Sequence, residues 1–145
     1  MKRNGQQGDT DAMEKYLMEH STPDKLLDRT VNESLAGYLN TLMGRRKIST
    51  DVLAELSGMN RSSMYRILNG KTKFPQRNII IRLSLILQLS FGETQNLLKL
   101  GCKAALSGQR GRDIIISDGI IHKRHIEDIN EKLRSYGFSD LYSRE

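Results

Sequence analysis

Apolar residues recur along this chain at helical spacing, in blocks separated by Gly, Pro and polar clusters. Leu35, Tyr38, Leu39 and Leu42 fall at i, i+3, i+4 and i+7, a stripe that predicts an amphipathic helix stopped by Gly44. Ser49 or Thr50 can cap a second helix carrying Val52, Leu53 and Leu56, over about residues 50–57. Gly58 stands where the chain must turn sharply into the left-handed region. Asn60 can then cap a third helix, with Met64, Ile67 and Leu68 inward, closed by Asn69-Gly70. Pro75 reads as opening a further helix whose buried face is Ile79, Ile80, Leu83, Ile86 and Leu87. Its Ile cluster suits a strand, but the stretch is longer than the usual ~5 or 6 strand residues and holds no turn signal.

Beyond residue 90 the pattern continues. Ser90-Phe91-Gly92-Glu93 has the Ser-x-x-Glu form of a capping box, and Leu97, Leu98 and Leu100 lead to Gly101 as a C-cap. Residues 107–112 read as a polar connector. A segment with Ile114, Ile115, Ile116, Ile120 and Ile121 follows, helical or in part a short strand, since Gly119 weakens a helix there. A last helix is expected over about 126–136, ending at Gly137. At the other end, residues 1–11 offer nothing to bury and read as a disordered tail. Residues 12–33 read as an N-terminal helical arm, with Met13, Tyr16 and Leu17 and a helix start at Thr22-Pro23-Asp24 running through Leu26 and Leu27.

Composition agrees with an all-α chain: 145 residues, 37% hydrophobic, no Trp and two Pro. The single Cys, Cys102, leaves no disulfide to form within the chain. With no signal peptide pattern and no apolar run near the ~18 residues of a membrane span, a soluble cytoplasmic protein is expected. The net charge of +6 is unevenly spread. Between residues 45 and 82, nine Lys or Arg (Arg45, Arg46, Lys47, Arg61, Arg66, Lys71, Lys73, Arg77, Arg82) face two acids, Asp51 and Glu55. A basic excess confined to one helix–turn–helix segment is the electrostatic footprint expected of a DNA-reading element.

Residues 50–75 resemble the helix-turn-helix of the lambdoid phage repressor and Cro family, the Xre type. Leu53-Ala54, Gly58 and Asn69-Gly70-Lys71-Thr72-Lys73-Phe74-Pro75 fall in that family's positions without a gap. The resemblance covers roughly 34–90 and implies a repressor-like helical bundle whose second motif helix enters the DNA major groove. It implies base-reading roles for Asn60, Arg61, Ser62 and Arg66, and phosphate contacts for Asn69, Lys71 and Lys73. Thr50 occupies the phosphate-bonding position that opens the first motif helix, where the family commonly has Gln; the match departs there. Tyr65 on the same outward face and Arg77 downstream are additional candidate DNA contacts. The segment after residue 90 resembles the helical extension of some bacterial members, in a much less specific way.

Other chemistry is thinly represented. His122 and His125, with Glu127 and Asp128 nearby, lack further ligands of matched spacing, so no metal is expected. Cys102 beside Lys103 reads as a small apolar filler. Gly108-Gln109-Arg110-Gly111 has the form of a nucleic-acid-clamping GxxG loop, which requires a mixed sheet; here it reads as a connector. No P-loop, nucleophile elbow or dinucleotide fingerprint occurs, so neither an enzyme nor a cofactor is expected.

The reading is an all-α, repressor-like helix-turn-helix bundle with a C-terminal helical extension: tail 1–11, arm 12–33, DNA-binding domain 34–90 and C-terminal module 91–145. Residues 34–90 are expected to fold without the module. The function expected is sequence-specific binding of double-stranded DNA as a transcriptional regulator, a repressor in the first instance. A homodimer is expected because one helix reads only a few base pairs and useful specificity takes two half-sites. The alternatives are an antitoxin that binds a protein partner through the C-terminal module, and an adaptor whose helix-turn-helix has become a protein-binding surface.

Overall fold

The computed structural model describes residues 5–20 and 34–144, and among them every regular element is a helix. The chain divides into two units, 1–33 and 34–145. In the first, α1 spans Gly5–Glu19. It begins inside the stretch that reads as a tail, because a helix already formed over 12–19 extends backwards at one hydrogen bond per added residue, whatever the polarity of the side chains. Met13, Leu17 and Met18 are exposed, and the Tyr16 and His20 rings stack with centroids 4.0 Å apart. The helix start expected at Pro23 lies outside the described residues.

The second unit holds seven described helices: α2 (Leu35–Arg46), α3 (Thr50–Ser57), α4 (Arg61–Leu68), α5 (Arg77–Ile86), α6 (Phe91–Leu100), α7 (Gly111–Ile121) and α8 (Ile126–Ser135). α2 starts at Ser34, whose Oγ accepts the Gly37 amide at 3.1 Å, and buries Leu35, Leu39, Leu42 and Met43 on one face. It runs through Gly44 and ends at Lys47 in the left-handed conformation (φ 54°). Gly44 has open space around it and a helix-compatible backbone, so the fold does not need it as a stop.

α5 is the axis of the unit, packed against α3, α6 and α8. Its start is displaced from Pro75 to Arg77, with Gln76 at the cap making no side-chain bond. Apolar Ile80, Ile81 and Leu83 and polar Asn78, Arg82 and Ser84 are all buried. α6 begins with both halves of the capping box: Ser90 Oγ accepts the Glu93 amide at 3.1 Å, and Glu93 Oε1 accepts the Ser90 amide at 2.9 Å. That Ser90 amide is the main cause holding the Glu93 carboxyl below its ordinary value of 4.5. Gly101 ends α6 with an ordinary φ of −81°; a Cβ there would lie 2.5 Å from Ile80 Cδ1 and 3.0 Å from Leu35 Cδ1, so a larger residue would have to displace the ends of those buried side chains. The left-handed step falls on Cys102 (φ 56°), which is exposed rather than a core filler.

Residue 90 is not a break in this core. Leu97, Leu98, Ile116, Ile120, Ile129, Leu133 and Leu141 join Leu35, Leu39, Leu53, Met64 and Ile80 in one apolar cluster. The triplet at 114–116 is helical, within α7. α7 and α8 approach so closely that a Cβ on Gly119 would overlap the Ile129 side chain at Cδ1 and Cγ1. Gly119→Val should therefore destabilise by about 1 to 3 kcal/mol, the usual cost of overpacking; an unchanged thermal midpoint would show that the helix pair can separate freely.

Candidate nucleic-acid interface

α3, the turn and α4 are assembled by local capping. Ser49, rather than Thr50, is the cap of α3, its Oγ accepting the Val52 amide at 3.2 Å. Gly58 follows α3 at φ 71°, a conformation that strains any residue with a Cβ. Asn60 caps α4, its Oδ1 accepting the Ser63 amide at 2.8 Å. Leu53, Ala54, Met64 and Ile67 seal the inside of the pair. A residue that spacing did not flag, Asn40 on α2, donates from Nδ2 to the Leu68 carbonyl at 2.9 Å and to its own Ala36 carbonyl at 2.8 Å. It ties the last turn of α4 to α2. An isolated Asn on a polar face carries no sequence signal of such a role.

The outward side of α4 presents Arg61, Ser62, Tyr65 and Arg66, all exposed. Arg61 Nη2 lies 3.0 Å from Asp51 Oδ2 on α3, both side chains open to solvent. An exposed pair of this kind is worth ~0 to 1 kcal/mol, so Asp51 orients Arg61 without withdrawing it from the surface. Arg66 has no ion pair or side-chain hydrogen bond among the described residues, to Glu55 or to any other. Its carbonyl instead accepts the Thr72 amide at 2.9 Å, closing the loop after α4. In that loop Gly70 takes φ 81° and Asn69 Oδ1 accepts the Lys71 amide at 3.0 Å. Lys71, Lys73 and Phe74 project from it exposed. Asn60 and Asn69 thus each spend a side-chain oxygen on backbone amides, while Thr50, half-buried, sits in the first turn of α3 where the partial positive charge of the helix end is concentrated.

Arg77, the additional candidate contact downstream, is held within the fold. Its guanidinium makes a two-pronged bond to Asp113 at 3.0 Å on both oxygens, and Nε and Nη2 donate to the Ala104 and Ala105 carbonyls at 2.9 and 3.2 Å. The Asp113 side chain is 3% exposed. Burial pushes the Asp113 carboxyl up, but the Arg77 bonds and charge, with the Ser107 amide, outweigh it and hold the carboxyl below 3.8. Arg77 is a clasp between α5, the 101–110 connector and α7. Arg82 is also turned inward, at 8% exposure. Two of the nine basic residues counted over 45–82 are therefore structural, a distinction that charge counting has no means to make. Around His122 the described residues contain no group of three or more His, Cys, Asp or Glu placed to hold a metal; His122 contacts Asp118, which also pairs with Arg124.

Residues 34–97 match the family model of a helix-turn-helix domain. The matched span opens at the Ser34 cap and closes within α6, taking in α2 to α5 and most of α6. No curated protein sequence and no solved structure matches the chain. No helix among the described residues is long and apolar enough to cross a membrane.

Proposed function

We propose that this protein is a sequence-specific DNA-binding transcriptional regulator, a repressor acting as a homodimer on two half-sites, with α4 in the major groove. The observation that carries the reading is Arg66: a fork of donors, exposed and unheld, on the outward face of the second motif helix. Arg in that position can donate two bonds to guanine O6 and N7. Arg61, Ser62 and the free amide hydrogens of Asn60 share the base edges in this reading, with Tyr65 beside them. Lys71, Lys73, Asn69 and Thr50 take phosphates. No catalytic role is proposed.

Selection of bound fragments from random duplex DNA tests the reading, followed by binding of wild type and Arg66→Ala to every single-base variant of the selected site. Arg66→Ala should cost about 1 to 3 kcal/mol on the selected site and relax preference at one base pair per half-site, with thermal stability nearly unchanged. Equal losses across all variants would make Arg66 a phosphate contact. No enrichment in the selection, together with tight association with a protein, would replace the regulator by an antitoxin or adaptor.

Lys71→Ala and Lys73→Ala separate affinity from specificity. Each should weaken all sequences alike and lower the salt slope by about one unit, because one released counterion is lost with each phosphate contact. A changed base preference at unchanged salt slope would reassign the loop.

A further inference from the structure

We infer that residues 139–143 form a hook that positions the helix-turn-helix, and that Arg82 is the positioning residue through which the hook acts. After α8, Gly137 turns the chain at φ 79° and the segment folds back onto the bundle. Leu141 is fully buried, and its amide donates to Asn130 Oδ1 at 2.8 Å. Arg112 of α7 donates to the Ser139 and Asp140 carbonyls at 3.0 and 3.2 Å. Asn78 of α5 donates to the Ser143 carbonyl at 2.9 Å. Asp140 closes the segment on itself, accepting the Tyr142 amide at 2.9 Å and the Ser143 hydroxyl at 3.1 Å. Side chains from three helices are thus committed to holding a short irregular stretch.

The hook meets the motif at two points. Arg82 Nη1 donates to the Leu141 carbonyl at 2.6 Å, while Nε of the same guanidinium donates to the carbonyl of Ser57, the last residue of α3, at 3.0 Å. The Tyr142 ring lies over that guanidinium, 5.1 Å from its central carbon to the ring centroid. Its Cε1 stands 3.3 Å from where a Cβ of Gly58 would be. The final carbonyls of a helix have no partner within it, and a buried guanidinium is tolerated only while its donors are satisfied. Removing the hook takes both the Leu141 carbonyl and the Tyr142 face from Arg82. The guanidinium then gains by moving to water, and the Ser57 carbonyl at the hinge of α3 and α4 loses its donor. The direction of α4 relative to α3 depends on a segment more than fifty residues away in sequence.

The hook's consequence for DNA rests on the function proposed above, whereas its mechanical role does not, and amide exchange on the full-length chain separates the two. The Gly58 and Met59 amides, bonded to the Glu55 and Ala54 carbonyls, report the turn. In Tyr142→Ala both should exchange about tenfold faster, with the amides of Leu97 and Ile120 changed less than about twofold. Tyr142→Phe, which keeps the ring, should match wild type. Arg82→Met should exceed Tyr142→Ala at the turn. On a mixed-sequence DNA duplex, Tyr142→Ala should bind at least threefold more weakly with an unaltered salt slope, since no phosphate contact is removed. Unchanged exchange at Gly58 and Met59, or equal acceleration at all four amides, would overturn the hook. Failure of the wild type to bind DNA with the exchange pattern as expected would overturn only the function it serves.

Discussion

A chain ending at Ser90 should fail to fold. α6 supplies Leu97 and Leu98, both at 0% exposure, to the core shared by α2 and α5. Its C-cap, Gly101, is the flat surface on which Ile80 and Leu35 close. Losing a fully buried Leu to Ala alone costs about 2 to 5 kcal/mol. The truncation removes Leu97 and Leu98 together with Leu106, Ile116, Ile120, Ile129, Leu133 and Leu141 of the same buried cluster, and the half-buried Phe91 and Leu100, a loss that exceeds the whole stability of a typical domain, ~5 to 15 kcal/mol. The truncated chain is expected to lose most helical circular dichroism and to show no cooperative thermal transition. A sharp transition would mean that α2 to α5 suffice, as the sequence pattern alone suggests, and that α6 merely rests on them.

The second large effect concerns Arg77. Arg77→Met leaves the Asp113 carboxylate buried without its cation, a loss of about 3 to 5 kcal/mol, because removing one partner of a buried pair strands the other charge. The melting temperature should fall by roughly 10 to 20 °C. Arg77→Met combined with Asp113→Leu should recover most of that, since an apolar pair of similar volume can replace a buried ion pair. Recovery would identify stranded charge as the cause, and equal defects in the single and double variants would point to lost packing.

Acidification gives an independent check on the same pair. The folded Asp113 carboxyl lies below 3.8, so the ionised form contributes stability that is present above the unfolded value and is lost as pH falls through the lower folded one. The stability gap between wild type and Asp113→Asn should therefore be constant above about pH 5 and shrink on acidification below about pH 4. A gap that held at its full size down to pH 2 would exclude titration of Asp113 as its source.

The helices of the motif were legible because they are decided locally. Ser49, Gly58, Asn60 and Gly70 set the ends of α3 and α4 through hydrogen bonds and φ preferences that involve residues at most four positions away, and the Met64 and Ile67 spacing set the buried face. The Ser90–Glu93 capping box was readable for the same reason. Gly44 and Pro75 misled because both carry local signals that packing is free to ignore: α2 continues past the first, and α5 begins beyond the second.

What tertiary structure alone decided is the fate of the polar residues between the helices. Arg66 and Arg77 are the same residue type on the same basic segment, yet one is open to solvent and the other is clasped to Asp113 across thirty-six positions of sequence. Arg82 and Asn78 look misplaced in apolar stripes until the 139–143 segment returns to accept their hydrogen bonds; Asn130 meets the same segment through its Oδ1, while its buried Nδ2 has no partner among the described residues. Apolar periodicity determines which side of a helix is buried, because water drives that choice at every position independently. Which buried polar group meets which partner depends on where distant segments come to lie, and only the assembled core defines that.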